Sequence, residues 1–251
     1  MKALRDSGVV YAREMVPVLR SPIAIIVTMA QPLVFLLLYG PLLSNIPGVE
    51  GGTPWQWFVP GIIVMLAMFG TMSAGFTLLA EIRSGVHERL LATPLARSAL
   101  VTGRTLKDVT TLIVQALVIV VLTIPFGFRP DPLGLLAGLA LLVVLGVGLG
   151  ALSYALALAV KRQDGIFWAI TQLLLFPLLL LSGTLLPMSL APSWLDALSS
   201  ANPLRYIVDA ERVLMDGAFT DASVATGPAA ALAIAAIGLF LSVRSMRRTA
   251  V

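Results

Sequence analysis

The sequence predicts an all-α integral membrane protein with six transmembrane helices, and three observations carry that reading. Of 251 residues, 58% are hydrophobic and 12% are charged, against about 25% charged in an ordinary soluble domain. The mean hydropathy is +0.96. Six runs, roughly 22–43, 55–80, 108–128, 133–160, 166–187 and 223–243, hold no Lys, Arg, Glu or Asp beyond Asp108 at one edge. A helix needs about 20 mainly apolar residues to cross a bilayer. The runs are too long for barrel strands and lack strict alternation. The whole chain is read as one transmembrane domain.

Composition also excludes chemistry. There is no cysteine and a single histidine, so thiolate and multi-histidine metal sites are ruled out. A net charge of +4 would suggest nucleic acid in a soluble protein, but here the arginines flank apolar runs. The membrane explains them better, and no nucleic-acid partner is expected.

Residues 1–21 place Leu4, Val9, Val10, Val16 and Val18 among Lys2, Arg5, Arg13 and Arg20. This predicts an amphipathic helix on the inner membrane surface, its basic side toward lipid headgroups. The segment carries Asp6 and Glu14 and leads into a run longer than a signal core, so no cleavable signal is expected. Fourteen Lys and Arg fall in the N-terminal segment, the 81–107 and 161–165 connections and the tail; only Arg129, Arg205 and Arg212 fall opposite. The positive-inside rule then puts both termini in the cytoplasm and leaves Trp55 and Trp57 in the outer aromatic belt.

Between the second and third runs lies EIRSGVHERLLATP, residues 81–94. It predicts a cytoplasmic helix from Glu81 to Thr93, about three and a half turns, ended by Pro94. Glu81, Arg83, Glu88 and Arg89 offer polar handles to a partner, while Leu90 and Leu91 can fill a pocket. His87 beside Glu88 has neither nucleophile nor metal partner and reads as a solvated face. In the fourth run, Gly134 and Gly138 form a GxxxG, and Gly146, Gly148 and Gly150 follow at alternate positions. Such residues allow close helix approach; without a preceding strand they are no dinucleotide loop.

After the fifth run, Pro192 opens a segment with Trp194, Leu195 and Leu198 on one face. Asn202-Pro203 supplies a cap and a first-turn proline, and Gly217 a stop. Arg205/Asp209 and Arg212/Asp216 stand four apart. Two short helices are expected, dipping into the outer leaflet or capping its face. Ser182-Gly183-Thr184 lacks the His or Lys within a span that an intramembrane serine nucleophile needs.

The spans hold no ionisable residue at mid-depth, which disfavours ion-coupled transport. No GxxxxGK[ST] occurs in the sequence, so uphill transport would need a second, fuel-burning polypeptide. Met65, Met68, Phe69, Met72 and Phe76 form an adaptable apolar stripe; with Gln115 and Gln172 they are the candidates for a substrate path. Absence of buried charge suits a lipophilic or amphipathic cargo. The alternatives are a membrane anchor for a cytoplasmic partner and a lipid-modifying membrane enzyme.

EIRSGVHERLLATPLAR resembles the cytoplasmic signature of type-2 ABC transporter permeases, which include daunorubicin-resistance-type drug exporters and polysaccharide exporters. Glu81, Arg83, Gly85, Glu88, Leu91, Thr93 and Pro94 carry the match. PSWLDALSSANPLRYIVDAER is similar to that family's outer helices through Pro192, Trp194, Leu195, Asn202, Pro203, Tyr206 and Asp209. The resemblance implies a half-transporter in a bacterial inner membrane, dimerising with a second copy or a sister permease. It implies two copies of a separate ATP-binding subunit, which bring ATP and Mg; this chain would hold no cofactor. The surface helix and the 81–94 coupling helix would sit in the ATPase groove. The first and fifth spans would line the dimer interface.

Overall fold

A computed structural model describes residues 2–43, 54–91, 97–160, 163–185 and 187–249. Every regular element among them is helical: α1 Lys2–Arg20, α2 Pro22–Leu43, α3 Pro54–Arg83, α4 Val86–Leu91, α5 Arg97–Thr123, α6 Pro132–Val160, α7 Asp164–Leu180, α8 Ser193–Ser200, α9 Pro203–Met215 and α10 Ser223–Thr249, with 3₁₀ turns at Ile124–Phe126 and Met188–Leu190. Four stretches are long and apolar enough to cross a membrane, Pro54–Arg83, Ala99–Phe126, Pro132–Val160 and Ser223–Ser245. The apolar stretches Met29–Gly40 in α2 and Asp164–Leu180 in α7 are shorter. At 1.5 Å per residue α7 spans about 26 Å, just under a hydrocarbon core of about 30 Å.

α3 is the central helix. Phe58, Val59, Ile62, Ile63, Met65 and Leu66 are sealed by neighbours from α2, α5, α6 and α9. α6 bridges α3 and α10. Gly148 lets the α10 backbone approach so closely that a Cβ there would lie 2.8 Å from Ala235. Toward α3, Gly75 N donates to Ser153 Oγ (3.0 Å) and Ser153 Oγ donates to the Met72 carbonyl (2.6 Å). One buried hydroxyl thus satisfies two backbone groups on the neighbouring helix.

Three sequence expectations change. The 81–94 piece is not one helix: α3 continues through Glu81 to Arg83, the chain turns at Gly85 with φ 71, and α4 starts at Val86. A left-handed φ suits glycine, which has no Cβ to clash, and it stops the helix. Thr93 and Pro94 lie outside the described residues. The third run begins earlier than its charge-free core, because α5 already starts at Arg97. α1 is helical as expected, but one face packs on this α5 extension. Val10 is buried against Gly103, while Val9, Val16 and Leu19 stay exposed.

At the other end of the bundle the two short helices are α8 and α9. Asn202 caps α9, Oδ1 accepting from Leu204 N (3.0 Å), and its Nδ2 donates to the Leu178 carbonyl of α7 (2.7 Å). Pro203 takes the first turn and Gly217, φ 74, follows the last.

Candidate coupling and gating sites

The residues predicted for coupling divide between two roles at the α4 end. Glu81 turns inward from the last turn of α3 and accepts from Arg104 Nη2 on α5. Arg104 Nε also lies 3.6 Å from Glu14 Oε1 on α1. One turn along α5, Lys107 pairs with Asp108, and Asp108 Oδ2 accepts from Tyr154 OH on α6 (2.6 Å). Arg83 pairs with Asp164 at the start of α7. Glu14, Arg104 and Glu81 therefore join α1, α5 and α3, the Asp108–Tyr154 bond joins α5 to α6, and the Arg83–Asp164 pair joins α3 to α7. Gly85 is the turn between α3 and α4, Arg89 is exposed on α4, and Glu88 and Leu91 lie on the same short helix.

At the α9 end Arg212 is the hub. Its Nε donates to the Trp57 carbonyl (3.1 Å) and its Nη2 to the Gly183 carbonyl (2.7 Å). Nη1 lies 3.4 Å from Asp209, and the guanidinium stands 3.9 Å over the Trp57 ring. The expected Arg212/Asp216 pair does not form. Arg212 turns back toward Asp209, where α3 and the turn after α7 also supply acceptors. Burial lowers Arg212 to about 10, opposed by Asp209; burial raises Asp209, offset by Arg212 and Arg205. Arg205 bonds Asp196 (2.7 Å), Ser199 Oγ donates to the Leu181 carbonyl (2.8 Å), and Tyr206 OH donates to the Ser200 carbonyl (2.8 Å). These bonds tie α8 to α7 and α9. Pro192 is the N-cap of α8, and Trp194 stands exposed in its first turn.

Glu211, next to Arg212, faces α6 instead. It is 0% exposed, and neither carboxylate oxygen has a hydrogen-bond partner. Burial alone pushes it to about 8. The GxxxG of α6 lies opposite: Gly134 abuts the Leu214 carbonyl and Gly138 abuts Glu211 Oε2. The motif is used to seat α9 on α6.

The candidate substrate-path residues do not share one environment. Met65 is 0% exposed in the core and Gln115 is also buried, so these two are enclosed within the chain. Phe69 and Met72 are partly covered, Gln172 on α7 is half-buried, and Phe76 is 36% exposed. Phe76 packs beside Phe167 and Trp168 of α7, at 6.5 and 5.4 Å between ring centroids. The stripe follows one face of α3, but what covers that face changes along the helix. Sequence reasoning missed Glu14, Arg104, Asp108, Tyr154 and Glu211 as partners or buried groups. For Glu211 the signal was present: it falls in the apolar helical series Leu204, Ile207, Val208, Leu214, Met215. Among the described residues no group of three His, Asp or Glu side chains could hold a metal ion.

These helices define a multi-pass membrane protein whose polar contacts gather at its two ends. The chain matches the ABC-2 type transporter family over residues 7–215 and belongs to it, as an ABC transporter permease subunit. That span includes both motifs that carry the resemblance. The chain is 28% identical over 198 residues, covering 78% of this chain and 70% of the relative, to the daunorubicin resistance ABC transporter permease protein DrrB1 of Streptomyces coeruleorubidus. It is 29% identical over 217 residues, 84% of this chain and 74% of the relative, to the putative transport permease ycf38 of Cyanophora paradoxa. The Pyropia yezoensis ycf38 protein is 27% identical over the same shares.

Proposed function

We propose that this permease exports a hydrophobic or amphipathic cargo, a drug or a lipid, powered by ATP hydrolysis in a separate subunit bound at the α4 end. Two copies of that subunit bring ATP and Mg, and α1 and α4 occupy their grooves. In this reading α2 and α7 also cross the membrane, making six spans in a bacterial inner membrane with both termini cytoplasmic. Their exposed apolar faces, Val34, Leu37 and Leu38 on α2 and Leu173, Leu174 and Phe176 on α7, meet a second permease. The cargo passes along that interface, beside Phe76, Met72 and Gln172.

The observation that supports this best is the position of the Glu14–Arg104–Glu81 network. It joins α1 to α5 and to the last turn of α3, whose end the Gly85 turn links to α4. A push on α4 or α1 is therefore carried into long apolar helices rather than absorbed by a loop. Glu88, Arg89 and Leu91 are the proposed contacts on α4, with Thr93 and Pro94 just beyond.

The test is reconstitution with a candidate ABC ATP-binding subunit from the same genome. Lipophilic cargo should stimulate ATP hydrolysis and accumulate in inverted vesicles only with ATP. Glu88→Ala with Leu91→Ala should lower ATPase co-purification without removing the permease from the membrane. ATPase activity indifferent to every cargo, with no uptake, leaves only a membrane anchor.

A further inference from the structure

Glu211 has no task in the reading above, and its surroundings are unusual. It projects from an otherwise apolar face of α9, formed by Leu204, Ile207, Val208, Leu214 and Met215. Its carboxyl occupies space that exists because position 138 on α6 has no side chain. The charged and polar side chains near it on each neighbouring element are engaged elsewhere. On α9, Arg205 and Arg212 serve Asp196, Asp209, Trp57 and Gly183. α3 brings Gln56, bonded to the Arg129 backbone. Asp131, ahead of α6, accepts from Gly134 N (2.8 Å). Asp221, ahead of α10, accepts from Ser223 N (2.7 Å). A charged carboxylate without a counterion or hydrogen bond is costly in such a place, whereas the neutral acid costs far less.

We propose that Glu211 is a proton-binding site that latches α9 onto α6: the carboxyl is protonated while the helices are packed and ionises when they part. On parting, the carboxyl O–H bond breaks, its electron pair stays on the carboxylate and the proton passes to water. Closing takes a proton back from water. Burial raises the packed-state pKa to about 8, from the ordinary carboxyl value of 4.5. Packing is therefore fully favoured below the lower value. It weakens as pH rises between the two, by up to about tenfold in the packed-to-separated ratio per pH unit, and is flat above the upper one. The latch rests on the contact between α6 and α9 and needs no ATPase.

The test uses the full chain in lipid nanodiscs without nucleotide. Because the sequence has no cysteine, spin labels can be placed at Leu136→Cys on α6 and Tyr206→Cys on α9, both exposed. Between pH of about 6 and about 8, the separated population should grow up to about tenfold per unit. Glu211→Gln, which cannot ionise, should stay packed throughout. Infrared difference spectra should show a protonated-carboxyl C=O stretch that disappears at high pH in the wild-type chain and is missing from Glu211→Gln. A wild-type distance that ignores pH overturns the latch even where the band is seen. So does a Glu211→Gln chain that titrates like wild type, or a carboxyl band unchanged by the substitution. The wild-type titration decides by itself if the variant does not fold.

Discussion

Replacing Arg104 by Ala should separate α1 from the bundle. The Arg104 side chain is 9% exposed and lies between Glu14 at 13% and Glu81 at 17%. Removing one partner of a fully buried ion pair costs about 3–5 kcal/mol, while exposed pairs contribute about 0–1 kcal/mol. This site lies between those limits, and the substitution leaves two carboxylates facing one another. A loss of about 2–3 kcal/mol follows. For a chain of this size each kcal/mol moves Tm by about 2–4 °C, so the midpoint should fall by about 4–12 °C. Melting followed by tryptophan fluorescence in detergent measures it. A cysteine at Val10, which is buried against Gly103 of α5, should also become more reactive as α1 loosens. Glu81→Gln needs no countercharge, so combined with Arg104→Ala it should recover at least about 1 kcal/mol of the loss. A single variant melting within about 1 °C of wild type, or strictly additive single and double losses, refutes the clamp.

Two further outcomes are expected. Gly85→Ala meets no neighbour within 4 Å but must hold φ 71. It should cost about 1–2 kcal/mol, seen as a modest fall in Tm, and should reduce cargo-stimulated ATPase activity more than basal activity. An unchanged ratio would show that the angle between α3 and α4 does not matter for transmission. Arg212→Lys keeps the charge but loses the planar fork that reaches the Trp57 and Gly183 carbonyls together. A loss of about 2 kcal/mol is expected. Quenching of tryptophan emission should also change, as the cation leaves the Trp57 ring.

What could be read in advance follows physical locality. The charge-free runs place α3, α6 and α10 closely, because burial in lipid forbids charge along a whole helix. The start of α9 was legible because Asn202 and Pro203 perform their capping within three residues. The break at Gly85 was not, since the spacing of charges over 81–91 suits one continuous helix equally well; only a left-handed backbone angle divides it. Arg104 counted only as a topological charge. Its partners Glu14 and Glu81 come from distant segments, and no local spacing encodes that meeting. Glu211 stood in the apolar periodicity of α9, yet that segment was read only for its caps and its four-apart charge pairs, neither of which includes Glu211.

The Ser153 bond between α6 and α3 has a mechanical consequence. It grips α3 near Gly75, about 12 Å from Arg83 and about 27 Å from Trp57 at 1.5 Å per residue. A helix pinned there is a seesaw with unequal arms. A tilt applied at the short arm, next to α4, swings Trp57 the opposite way through roughly twice the distance, carrying whatever Arg212 has fastened to it.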